Sequence, residues 1–221
     1  MHYTSFRKIY FVLVFLHLAT LYVNDNTNII GISKLLIVGS LIAWWMHKKG
    51  FIISLSRIYG FGLVFCFIGD LLLLQSDFFL FGLFSFLVAQ LLYSYVFLKK
   101  LYALESKKLG LIVGISTSIL LLVLLLLPRI DLVDPLLRIP IFFYSICILF
   151  MFALAISLTI ANWSNWKWLA ISALLFVFSD VLLAWSMFIH EFNYQSIYIM
   201  GTYGLAQFGI MRSLNLTLLP D

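Results

Sequence analysis

Two aspartates stand where a carboxylate is most costly. Residues 65–74 read FCFIGDLLLL and residues 176–185 read FVFSDVLLAW, so Asp70 and Asp180 each interrupt an apolar run. A charged side chain at mid-membrane costs about 2.5–3.5 kcal/mol on insertion scales, so such residues face the bundle interior and are functional by default. Two carboxyls brought together away from water share a proton, leaving one proton donor and one carboxylate. That is the pairing needed to cleave an acid-labile C–O bond. The bland alternative is a pair of neutral carboxyls that tie helices together.

Other polar groups fall at matching depth. Lys34, Tyr144 and His17 each lie in the outer part of an apolar stretch. Tyr203 and Gln207 are one helical turn apart and share a face, as do Gln90 and Tyr93. A polar cavity opening toward the outer leaflet would gather them. Each has a structural alternative: Lys34 snorkels to the interface, the tyrosines are core or interfacial aromatics, and the glutamines are interhelical glue. For His17, packing or a local hydrogen bond is the preferred reading.

The missing motifs narrow the chemistry. Of His2, His17, His47 and His190, only His17 lies within a span, and no H-x-x-x-H pair occurs. There is no G-x-S-x-G elbow and no G-x-x-x-x-G-K-[ST] loop. Cys66 and Cys147 lie in apolar runs without ligand or disulfide spacing and read as small core residues. A hydrolase built from this set would use carboxylates, with neither metal nor cofactor.

The elements that hold these residues are set by composition. The 221 residues are 64% hydrophobic and 10% charged, with a mean hydropathy of +1.10, too little polar surface for a soluble domain. Apolar stretches predict eight transmembrane helices, roughly 6–23, 29–46, 52–74, 78–97, 109–127, 138–160, 167–189 and 196–217. The expected fold is an all-α integral membrane protein, a single helical domain over 1–221. The basic start at Arg7 and Lys8 resembles a signal peptide but lacks an A-x-A site, so it reads as an uncleaved first helix.

Charge sets the orientation. Arg7, Lys8, Lys48, Lys49, Arg57, Lys99, Lys100, Lys107, Lys108, Lys167 and Arg212 fall on one side, Arg129 and Arg138 on the other. The first group belongs in the cytoplasm, with both termini, and the expected location is a bacterial inner membrane. The net charge of +5 thus reflects topology, and no nucleic-acid partner is expected. Trp44, Trp45, Trp163, Trp166 and Trp168 read as headgroup-level anchors.

FIGDLLLL with Gln90 resembles FSDVLLAW with Gln207 four spans later. This suggests a parallel 4+4 repeat with halves 1–105 and 106–221.

The stretches GLVFCFIGDLLLL, FGLFSFLVAQLLYSYVF, IPIFFYSICILFMFALA, WLAISALLFVFSDVLLAWSMF and YIMGTYGLAQFGI resemble the YhhN-like membrane family, which includes the lysoplasmalogenases. The resemblance implies an eight-helix hydrolase that cleaves the vinyl ether bond of lysoplasmalogens to a fatty aldehyde and a glycerophospho-alcohol. The residues carried over by position are Lys34, Asp70, Tyr144, Asp180, Tyr203 and Gln207. Two departures stand out: Leu35 follows Lys34 where the family often has proline, and Gln90 stands where it often has histidine.

In this reading one aspartic acid protonates the vinyl ether carbon, while the other aspartate stabilises the cation and orients water. Tyr144, Tyr203, Gln207 and Gln90 would bind substrate oxygens and Lys34 a phosphate. The partners are a lysophospholipid and the surrounding lipids. A proton-coupled transporter is the alternative, since intramembrane acids also carry protons. A purely structural protein leaves the repeated aspartate unexplained.

Overall fold

In a computed structural model the chain is described over residues 2–23, 26–52, 54–104, 108–121 and 134–218. The described residues form eight α-helices and no strand: α1 (Tyr3–Val23), α2 (Thr27–His47), α3 (Ser54–Leu72), α4 (Phe79–Tyr102), α5 (Lys108–Leu121), α6 (Pro135–Ala161), α7 (Trp163–Phe188) and α8 (Gln195–Leu218). A short 3₁₀ turn, Ser76–Phe78, leads into α4. Lys107, the predicted end of the fifth span and Arg129 lie outside the described residues.

Six of the helices (α1–α4, α6 and α7) are long and apolar enough to cross a membrane. The surface supports that reading. Large apolar side chains such as Phe15, Phe81, Ile112 and Phe143 are exposed along the helices, the reverse of a water-facing surface.

Helix ends follow local chemistry. Asn26 caps α2 by accepting from the Asn28 and Ile29 amides at 3.0 and 3.4 Å. Asp134 caps α6 by accepting from Leu136 N at 2.8 Å, with Pro135 in the first turn, where its missing N–H costs nothing. At the end of α2, Lys49 adopts φ 57° and Gly50 N returns to Trp45 O at 2.8 Å, a Schellman turn. A side chain at Gly50 would collide with the Trp45 indole.

Among the described residues most boundaries fall within three residues of the predicted ones, and two differ by more. The helix of the fourth span continues to Tyr102, because Lys99 and Lys100 in its last turn complement the helix dipole. The seventh starts at Trp163 instead of 167, since the polar S-N-W-K stretch makes a first turn of helix.

The helices pack chiefly as neighbours in sequence, α3 on α4, α5 on α6 and α7 on α8, with α4 also lying against α6. Gly110 and Gly114 form a G-x-x-x-G stripe on α5. A Cβ at Gly110 would come within 2.6 Å of the Ser157 carbonyl, so α5 and α6 touch through backbone. Small residues allow this approach, which supplies packing energy where lipid removes the hydrophobic drive.

The reading of Trp44 and Trp45 as headgroup anchors is corrected. Both are fully buried, Trp44 donating to Asn215 Oδ1 at 3.1 Å and Trp45 to the Ser56 carbonyl at 2.9 Å. Trp163 and Trp168 are exposed, while Trp166 is buried. An indole buried among helices anchors helices to one another, and only its N–H partner distinguishes that role from an interfacial one.

Candidate functional site

Toward the end of the bundle opposite Lys48, Lys49, Lys99, Lys100 and Lys167, a cavity of about 320 Å³ opens among α2 to α8. Its walls are mainly apolar, contributed by residues such as Leu83, Phe86, Ile148 and Val177. Lys34, Asp70, Tyr144, Asp180 and Tyr203 belong to its polar part, together with Gln75, Ser76, Ser145 and Ser179. An apolar pocket with a few convergent polar groups is the usual form of a ligand site.

Asp70 occupies the last turn of α3 and is 2% exposed. Lys34 Nζ on α2 lies 3.5 Å from its Oδ1. Tyr203 on α8 donates to its Oδ2 at 2.9 Å. The snorkelling alternative for Lys34 therefore does not describe this structure, in which the ammonium turns inward to a buried carboxylate.

Tyr203 is itself fixed from behind. Gln207, one turn on, donates through Nε2 to the Tyr203 hydroxyl at 3.2 Å and to Cys66 Sγ at 3.1 Å, while Tyr93 donates to Gln207 Oε1 at 3.1 Å. Phe86 and Phe176 meet the Tyr203 ring nearly edge-on, at centroid distances of 6.1 and 5.6 Å. Such contacts restrict ring rotation and so aim the hydroxyl. Phe86 can lie this close because residue 69 has no side chain: a Cβ there would sit 2.6 Å from its ring.

The second aspartate has a parallel arrangement built from different helices. Tyr144 on α6 donates to Asp180 Oδ2 on α7, and Gln90 on α4 donates to the Tyr144 hydroxyl at 2.8 Å. Each carboxyl is thus the end of a Gln–Tyr–Asp chain. Gln90 and Gln207 stand behind the tyrosines and do not line the cavity. Gln90 Oε1 is buried and has no hydrogen-bond partner among the described residues.

Of the remaining sequence candidates, His17 is fully buried beside α2, its Nδ1 2.8 Å from Ser33 Oγ, and it does not line the cavity. The local hydrogen-bond reading describes its position. Tyr93 is buried against Cys66 and Gln207. Sequence reasoning missed Cys66, although it precedes Asp70 by one helical turn and so shares its face. It also missed Phe86, Phe176 and Tyr10, whose hydroxyl donates to Gly204 O at 2.7 Å beside Tyr203. Nothing in their local sequence separates them from lipid-facing aromatics.

Comparison with known proteins gives one match and two blanks. No curated protein and no solved structure matches the chain. The YhhN family model matches residues 29–214, which include every polar residue of the cavity. On that match, most of its length, the chain belongs to the YhhN family.

Proposed function

We propose that this protein is a membrane lipid hydrolase of lysoplasmalogenase type. It would cleave the vinyl ether bond of a lysophospholipid to a fatty aldehyde and a glycerophospho-alcohol. The observation that carries the reading is that Asp70 and Asp180, from separate helices, line one apolar cavity. Membership of the YhhN family supports it, since the family is associated with hydrolase activity.

The chemistry follows from the substrate. A vinyl ether is cleaved by proton addition to its carbon, and the resulting oxocarbenium ion is captured by water. A carboxylic acid supplies that proton, and a carboxylate stabilises the cation and takes a proton from the water, as paired carboxylates do for glycosides. The apolar walls suit the hydrocarbon chain, and Lys34 with the two tyrosines suits the oxygens of the headgroup. Gln90 and Gln207 act through the tyrosines they orient.

We read all eight helices as spanning, with both termini cytoplasmic, in a bacterial inner membrane. The lysine-rich end supports that orientation. The halves 1–105 and 106–221 read as a parallel repeat of one domain. In support, the α3 aspartate is wired to Gln207 of the second half and the α7 aspartate to Gln90 of the first.

The test is purified protein in detergent with lysoplasmenylethanolamine, scored by free fatty aldehyde. Aldehyde release supports the hydrolase. Substrate-driven proton flux in proteoliposomes without lipid product would replace it with the transporter.

A further inference from the structure

The two aspartates receive the same hydrogen bond but not the same charge. Each tyrosine hydroxyl has one proton to donate. At Tyr144 the oxygen already accepts from Gln90 Nε2, so its proton goes to Asp180 Oδ2. At Tyr203 the oxygen accepts from Gln207 Nε2, so its proton goes to Asp70 Oδ2. The Gln207 amide is locked in that sense, because Tyr93 donates to its oxygen.

The difference lies at the other carboxyl oxygen. Asp70 Oδ1 faces the Lys34 ammonium at 3.5 Å. Among the described residues no cation pairs with Asp180, and no donor reaches its Oδ1. A buried carboxyl beside a cation is held ionised, as Asp70 is. Asp180 is partly buried in the same largely apolar cavity and lacks such a counter-charge, so it keeps its proton.

We infer that the wiring divides the labour: Asp70, paired with Lys34, is the carboxylate, and Asp180 carries the transferable proton on Oδ1. The chemical steps rest on the hydrolase reading. Asp180 gives its proton to the vinyl carbon distal to the ether oxygen, and the C=C electron pair forms the new C–H bond, leaving an oxocarbenium ion. Water adds to the cationic carbon as Asp70 takes its proton, giving a hemiacetal. Collapse of the hemiacetal breaks the C–O bond: its hydroxyl proton returns to Asp180 and Asp70 protonates the departing glycerol oxygen. One water is consumed, and both carboxyls return to their starting states.

The assignment is tested without substrate by infrared spectroscopy of the purified protein at neutral pH. The C=O stretch of a protonated carboxyl stands apart from carboxylate bands and shifts in D₂O. One such buried band is expected in the wild type. Asp180→Asn should remove it and Asp180→Glu should displace it, while Asp70→Glu leaves it in place. The Glu variants keep the charge balance, so they carry the test should the Asn variant not fold. Lys34→Met should add a second band by removing the counter-charge of Asp70, and Lys34→Arg should not. A band displaced by Asp70→Glu and untouched by Asp180→Glu would overturn the assignment, as would no band at all. Aldehyde release in the same preparations judges the hydrolase reading separately: the expected bands without aldehyde keep the division of labour and remove the hydrolase.

Discussion

Tyr203 on α8 donates a 2.9 Å hydrogen bond to Asp70 on α3, although 133 positions separate them. The bond joins the last turn of one helix to the middle of another. It takes effect only because Gln207 occupies the tyrosine's acceptor site and two phenyl rings fix its plane.

Tyr203→Phe keeps the ring and its edge contacts but removes the donor to a carboxylate. Hydrogen bonds to charged groups contribute about 1.5–3 kcal/mol, so turnover should fall roughly 10- to 100-fold. Thermal stability should fall too, because the buried Asp70 carboxylate loses a donor. Aldehyde release beside a melting curve in detergent checks both halves. Unchanged turnover would mean that the bond serves packing alone.

Gln90→Leu should act through Tyr144. Loss of one neutral hydrogen bond costs about 0.5–1.5 kcal/mol, so a fall of about 2- to 10-fold in kcat is expected, with KM little changed because Gln90 does not line the cavity. Gln90→His restores an N–H donor and should recover much of the loss. A change confined to KM would instead make Gln90 a direct substrate contact.

Gly69→Ala tests the aromatic clamp. The new methyl would sit 2.6 Å from the Phe86 ring, which lines the cavity and meets Tyr203. Overpacking of this kind costs about 1–3 kcal/mol, so both melting temperature and turnover should drop. Adding Phe86→Leu should return the melting temperature toward wild type. No recovery would place the strain elsewhere.

The sequence revealed the helices and the polar residues, but not the pairing among them. Asp70 and Asp180 were visible because an acid in an apolar run has no cheap explanation, and Tyr203 with Gln207 because one turn separates them. Lys34 with Asp70 and Tyr144 with Asp180 were not, since each pair depends on how neighbouring helices are rotated. In water, the apolar stripe of a helix reports that rotation. In lipid both faces are apolar, so the stripe disappears, and Trp44 and Trp45 could be taken for interfacial anchors when they are core. Small residues carry part of the missing signal, as Gly110 and Gly114 do where α5 meets α6.

The most direct test of the account compares wild type with Asp70→Asn and Asp180→Asn for aldehyde release from lysoplasmenylethanolamine. Each variant should first be shown monodisperse and helical in detergent. Acid–base groups of this kind contribute about 10²- to 10⁴-fold, so wild type should release aldehyde and each variant should be slower by at least about 10²-fold. Turnover like the wild type's in both folded variants would contradict the account, because the paired carboxyls would then not be the groups that cleave the lipid.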